Sequence, residues 1–176
     1  MVLATSLEAI LKSIIASFVV TAVISSVAVA HLTPYPNSVD SSTSPAQIRY
    51  SSNSKYTGAV GNAISDWNAE SKVEILPDAW NTVKDLEVGD TYSSDTFHGR
   101  FTWNPGADNI TFNTRILDGS DWETEHKAKT ALHEFGHALD FDHNELAWPT
   151  SIMRQGKRFQ DYLGSHDKSD DDSRWN

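Results

Sequence analysis

At 176 residues, 39% of them hydrophobic and 22% charged, the chain has the material for one compact core, which excludes wholesale disorder. Its 14 Lys and Arg stand against 24 Asp and Glu, a formal charge of −10 with the wrong sign for following a phosphate backbone, so nucleic acid is excluded as a partner. There is no cysteine, which removes disulfides, thiolate metal sites and cysteine nucleophiles and leaves His, Asp and Glu to hold any metal.

Ser13 to Ala30 form an uncharged, mostly apolar run behind Lys12, and Ala28-Val29-Ala30 supplies the small residues that a signal peptidase accepts. The pattern predicts a signal peptide over 1–30 and a secreted, extracellular protein. The same run just reaches bilayer-spanning length, so the alternative is an uncleaved anchor and an extracytoplasmic membrane protein; membrane contact is expected only in that case. Residues 31–46 are rich in Ser, Thr and Pro with little to bury, and read as a flexible linker or short pro-segment. Residues 47–176 read as the folded domain.

Within that domain Gln47 to Tyr50 suits a first strand. Val60, Ala63, Ile64 and Trp67 then recur at i, i+3, i+4 and i+7, the apolar face of a helix over Tyr56–Ser71, with Trp67 in the core. Lys72 to Leu76 alternates as a short strand, and Asn81–Tyr92 and Thr96–Trp103 are weaker strand patterns. Asn109 to Leu117 reads as a strand after the Asn104-Pro105-Gly106 turn. Ser120 and Glu123 have the spacing of a capping box, and from Trp122 to Leu139 the apolar residues keep helical spacing. Ser165 to Trp175 is either a short helix or a solvated acidic tail.

The chemistry sits on the longest of these helices, in His133-Glu134-Phe135-Gly136-His137. Residues i and i+4 differ by only about 40° around a helix, so His133 and His137 point the same way and can hold one Zn²⁺, with Glu134 placed to reach a water without itself ligating. His143 follows six residues later. It can join them only if the helix breaks after Leu139 and the chain doubles back, which gives three neutral nitrogen ligands and one open position.

The stretch HEFGHALDFDH, followed by Ser151-Ile152-Met153, resembles the signature of metzincin-clan zinc metalloproteases, most closely the small bacterial matrixin-like type. The resemblance spans about Pro45 to the C-terminus. It implies zinc ligands at His133, His137 and His143, Glu134 as general base, and Met153 packed beneath the metal site. It also implies an α+β zincin-like fold: a twisted mixed sheet packed by an N-terminal helix and the active-site helix, with a Met-turn, a short C-terminal helix and an antiparallel edge strand beside the cleft. That edge strand is expected within Phe101 to Phe112. The expected partner is a protein or peptide substrate, and the expected state a monomer.

Asp140 stands where the family signature has Gly, at a point that demands a left-handed backbone; Asp tolerates this at a cost of about 1 kcal/mol. Asp140 and Asp142 are near enough in sequence to be candidates for orienting the ligand imidazoles, the alternative being that both are simply solvated. Calcium is a possible structural ion for an acidic, disulfide-free fold, although no loop has a ligand spacing that names a site. His98 matches no ligand pattern and reads as a surface residue. A catalytically inactive zinc-binding or adhesion module is the competing reading, and the presence of Glu134 beside the first ligand argues against it.

Overall fold

The computed structural model describes residues 32–34, 36–145 and 150–175. The leader read over 1–30 lies outside the described residues, as does part of the segment after His143. Among the described residues no helix is long and apolar enough to cross a membrane.

Five strands form one mixed sheet in the order β2-β1-β3-β5-β4, with β1 Gln47–Ser52, β2 Glu74–Pro77, β3 Leu86–Thr91, β4 Gly99–Thr102 and β5 Asp108–Asn113. β1 runs parallel to β2 and β3, and β3 parallel to β5; only β4 is antiparallel, and it forms one edge. The alternation along each strand sends Ile48, Ile75, Leu86, Val88, Ile110 and Phe112 to one face, all buried, while Arg49, Glu87 and Thr111 take the other.

Two helices cover the apolar face. Helix α1 (Thr57–Glu70) buries Val60, Ala63 and Trp67, the stripe its periodicity predicts. Helix α3 (Thr124–Ala138) packs against α1 and carries the central motif. Trp67 is 0% exposed, stacks on Phe141 at 5.5 Å and donates its indole N–H to the Leu132 carbonyl at 3.0 Å. One side chain thereby satisfies its polar atom and fixes the spacing of the two helices. Helix α4 (Ser165–Trp175) closes the fold, so the acidic C-terminal segment is a helix with Asp167, Asp170 and Asp171 buried rather than a solvated tail.

Four expectations change at the boundaries. The Asn109–Leu117 strand stops at Asn113, whose side chain accepts from the Arg115 N–H and caps a single helical turn, α2 (Thr114–Leu117). The capping box lies three residues later than Ser120–Glu123: Glu123 is the N-cap, and its own N–H donates to His126 Nδ1 at 3.1 Å. A preceding turn, closed by the Trp122 N–H on the Gly119 carbonyl, turns the chain before the helix can begin at Ser120. The edge strand is Gly99–Thr102, whereas most of Phe101–Phe112 is the turn after it and the interior strand β5. Finally, the segment read as a flexible linker is tied down where it is described. Thr33 and Ser38 donate backbone N–H groups to the carbonyls of Asp140 and Ala138, and the Ser38 hydroxyl reaches buried Asp108.

Candidate metal centre

Helix α3 is buried along most of its length, which is why a run of small residues (Ala128, Ala131, Gly136, Ala138) alternates with its functional ones. A Cβ at Gly136 would stand 2.4 Å from Met153 Sδ and 3.3 Å from Trp67, so only glycine lets the Met153 side chain lie against the helix between His133 and His137.

The helix ends in a Schellman arrangement: Phe141 N–H donates to the Gly136 carbonyl and Asp140 N–H to that of His137. Asp140 takes φ 85°, the left-handed turn that the sequence demands of it. Its carboxylate does not orient a ligand imidazole. Oδ1 accepts from the Thr33 hydroxyl at 2.8 Å and Oδ2 from Arg174 Nε at 2.9 Å, so the residue ties the N-terminal segment and α4 to the turn. A glycine would form the turn more cheaply but could hold neither.

Beyond that turn His143 comes back over the helix. The rings of His133, His137 and His143 lie 4.8–5.2 Å apart, and one nitrogen from each falls within 4.8 Å of the others. His137 Nε2 and His143 Nε2 are 3.2 Å apart. Ligand nitrogens about 2.0–2.1 Å from a tetrahedral zinc stand roughly 3.3–3.4 Å from each other, so this pair already has the spacing of two ligands of one ion, and His133 stands close enough to be the third.

The orienting groups are backbone carbonyls. His133 Nδ1 bonds the Ile152 carbonyl at 2.8 Å and His137 Nδ1 that of Phe141 at 2.7 Å. Only a protonated Nδ1 makes these bonds, which leaves Nε2 with its lone pair. His143 Nδ1 instead lies 3.0 Å from the Gln155 side-chain amide, which orients a ligating Nε2 when the amide is turned so that its oxygen accepts the Nδ1–H. Asp142 accepts from the His143 backbone N–H at 2.7 Å and acts on the imidazoles only through its charge. Burial holds His133 well below its usual pKa, takes His137 down to about 4 and lowers His143. All three are therefore neutral at pH 7, the form a metal needs.

Glu134 is 5% exposed and faces the start of β4. A Cβ at Gly99 would come within 2.7–2.8 Å of its side chain, so the edge strand approaches this closely because residue 99 has no side chain. Burial raises the Glu134 carboxyl to about 7, against the charge of Lys129 and the N–H of Phe101, which favour ionisation.

These groups line a cleft of about 920 Å³ between α3, β4 and the Gln155-Gly156 turn. The sequence did not single out Lys129, Thr130, Gly99 or Gln155, which all border it. Lys129 had a signal, since a lysine on the buried face one turn before His133 breaks the apolar pattern. His98 is half-buried at the rim with its ring edge-on to Trp122 at 4.4 Å, rather than a free surface residue.

No family model matches the chain, and no curated protein matches it. Among solved structures it is similar to high choriolytic enzyme 1, a hatching enzyme zinc-protease from Oryzias latipes (medaka fish), at 15% identity and a TM-score of 0.37. The match covers 55% of this chain and 44% of that one, so the chain spans less than half of its length. At that depth the functional reading rests on the side chains alone.

Proposed function

We propose that the protein is a zinc-dependent endopeptidase of the metzincin clan, matrixin-like, that hydrolyses peptide bonds in protein substrates. The observation that carries this reading is the convergence of His133, His137 and His143 on one point of an open cleft, with the buried carboxylate of Glu134 beside them. Three neutral imidazoles and no thiolate suit a catalytic zinc with one open position better than a closed structural site.

When bound, zinc supplies Lewis acidity, polarising a carbonyl and acidifying water at the open position. Glu134 takes the proton of the attacking water as its oxygen bonds to the scissile carbon. It then delivers that proton to the amine nitrogen as the C–N bond breaks. A carboxyl held near 7 by burial is matched to both halves of that exchange, and Lys129 and the Phe101 N–H keep a fraction of it ionised before substrate arrives. The free side of β4 offers backbone groups to an extended peptide, which would add as a sixth strand. The apolar run before Ala30 supports a secreted enzyme, which N-terminal sequencing of the mature protein tests.

The test of the main reading is zinc content and casein turnover, with and without a chelator, for wild type and Glu134→Ala. One zinc in each protein, with turnover only in the wild type and only without chelator, is the expected result. One zinc in both with no turnover in either refutes the reading and leaves a zinc-stapled binding module.

A further inference from the structure

Lys129 lies one helical turn before His133 and is 4% exposed, yet it borders the cleft together with Thr130, His98 and Gly156. Its Nζ donates to the Arg154 carbonyl at 2.7 Å and lies 3.3 Å from His133 Nδ1. That nitrogen already spends its hydrogen on the Ile152 carbonyl and has no lone pair to offer. An ammonium has three N–H donors, so among the described residues two have no acceptor within hydrogen-bond distance; no carboxylate there lies within ion-pair distance, and the charge of Glu134 acts on Lys129 only from farther away. Three nearby cations are paired, Arg100 with Asp95, Lys157 with Asp121 and Arg154 with Glu145, while Arg158 bonds the Gln155 carbonyl and adds its charge to that of Lys129.

A buried ammonium with unmet donors at a cleft wall is complementary to a carboxylate, which supplies the missing acceptors in charge-assisted bonds. The strand geometry says where that carboxylate would come from. A peptide added antiparallel to β4 runs from Thr102 towards Gly99. The residue following the scissile bond then lies over the start of β4, where His98, Thr130 and Lys129 border the cleft. Gly99 lets β4 lie directly against Thr130 and Glu134, which holds the start of the strand at this wall of the cleft.

We infer that the cleft selects an acidic side chain, Asp or Glu, immediately after the scissile bond, and that Lys129 is the residue that recognises it. The inference rests on the hydrolytic reading above for its placement of the substrate.

The test uses the zinc-loaded full chain and peptides identical except for Glu, Gln, Leu or Lys after the cleaved bond, with products identified by mass. The expected result is kcat/KM about 10- to 100-fold higher for Glu than for Gln or Lys, the scale of a site built to bond a group its competitor lacks. Lys129→Met should bring the Glu-to-Gln ratio close to one, and Lys129→Glu should reverse it in favour of Lys. A parallel measurement that needs no turnover is equilibrium binding of the Glu and Gln peptides to Glu134→Ala. Cleavage without preference overturns the inference and leaves the hydrolytic reading intact, as does a preference that survives Lys129→Met. Preferential binding of the Glu peptide with no cleavage by the wild type keeps Lys129 as an acid-recognising residue and overturns the hydrolytic reading. No cleavage and no preferential binding overturn both.

Discussion

The two histidines on helix α3 and the third one beyond its end reach the same point by different means. His133 and His137 stand on a regular helix packed against α1, and each imidazole is aimed by a backbone carbonyl. His143 stands in a loop, is exposed, and has only the Gln155 side chain at its Nδ1. Its position depends on the left-handed turn at Asp140, and that turn depends on two segments distant in sequence: Thr33 at one end of the described chain and Arg174 at the other. The helical pair is therefore preorganised by local periodicity and core burial, while the third arm combines one core anchor, Phe141 on Trp67, with long-range polar tethers. Burial is expensive to undo and tethers are not, so the two halves of one site should fail at different thresholds.

The largest effects are expected at the ligands. Zinc affinity, measured by competition with a chromophoric chelator, should collapse in His133→Ala and His137→Ala, whereas His143→Ala should retain one zinc more weakly. Gln155→Ala should cost about 10- to 100-fold, the usual scale for losing a group that orients a ligand. Equal losses at all three histidines would break the contrast between helix and arm.

Asp140 sharpens it. Asp140→Ala keeps the left-handed strain and loses both tethers, and a loss of about 2–3 kcal/mol in urea unfolding is expected, the Arg174 bond being discounted for its partial exposure. Asp140→Gly loses the same tethers but recovers about 1 kcal/mol of backbone strain. It should therefore fall between the alanine variant and the wild type, with zinc affinity lowered through His143 while helix α3 stays folded. If glycine proves as stable as aspartate, the two tethers together are worth only the ~1 kcal/mol of strain that glycine relieves, and they are not what chiefly holds the arm.

The same contrast separates what the sequence revealed from what it did not. Helix periodicity placed Trp67 in the core and brought His133 and His137 to one face, because these are local consequences of 3.6 residues per turn. The turn at Asp140 was legible too, because the offset to His143 makes sense only if the chain reverses. The tethers were not legible. Thr33 and Arg174 lie 107 and 34 residues from Asp140, and no periodicity links them to it. The edge was misplaced for a related reason: Thr96–Trp103 was legible as a weak strand and contains β4, but that β4 rather than β5 forms the edge follows from sheet order, which no local pattern carries. Serine and proline content marked 31–46 as a linker, since composition counts apolar residues but not the partners waiting for polar ones.

The helix that supplies Arg174 also carries a buried acid, and this gives the tethered half of the site a pH dependence of its own. Asp171 is 0% exposed; burial, reinforced by the charges of Glu70 and Asp172, raises its carboxyl from 3.8 to about 6. The folded state thus binds this proton more tightly than the unfolded chain does. The resulting stabilisation is fully present below about pH 3.8 and is lost as pH rises through 6. At neutral pH α4 therefore docks with a buried negative charge that it would shed if it could. Asp171→Asn removes that charge while keeping the shape, and should raise stability by about 1–2 kcal/mol at pH 8 and by almost nothing at pH 4. Urea midpoints at the two pH values check this, and the same gain at both would assign the effect to packing rather than ionisation. If α4 holds the arm through Arg174 and Trp175, whose indole N–H donates to the Leu139 carbonyl, the firmer docking should also slow zinc release from the wild-type ligand set, an effect too small to expect in a variant lacking His143.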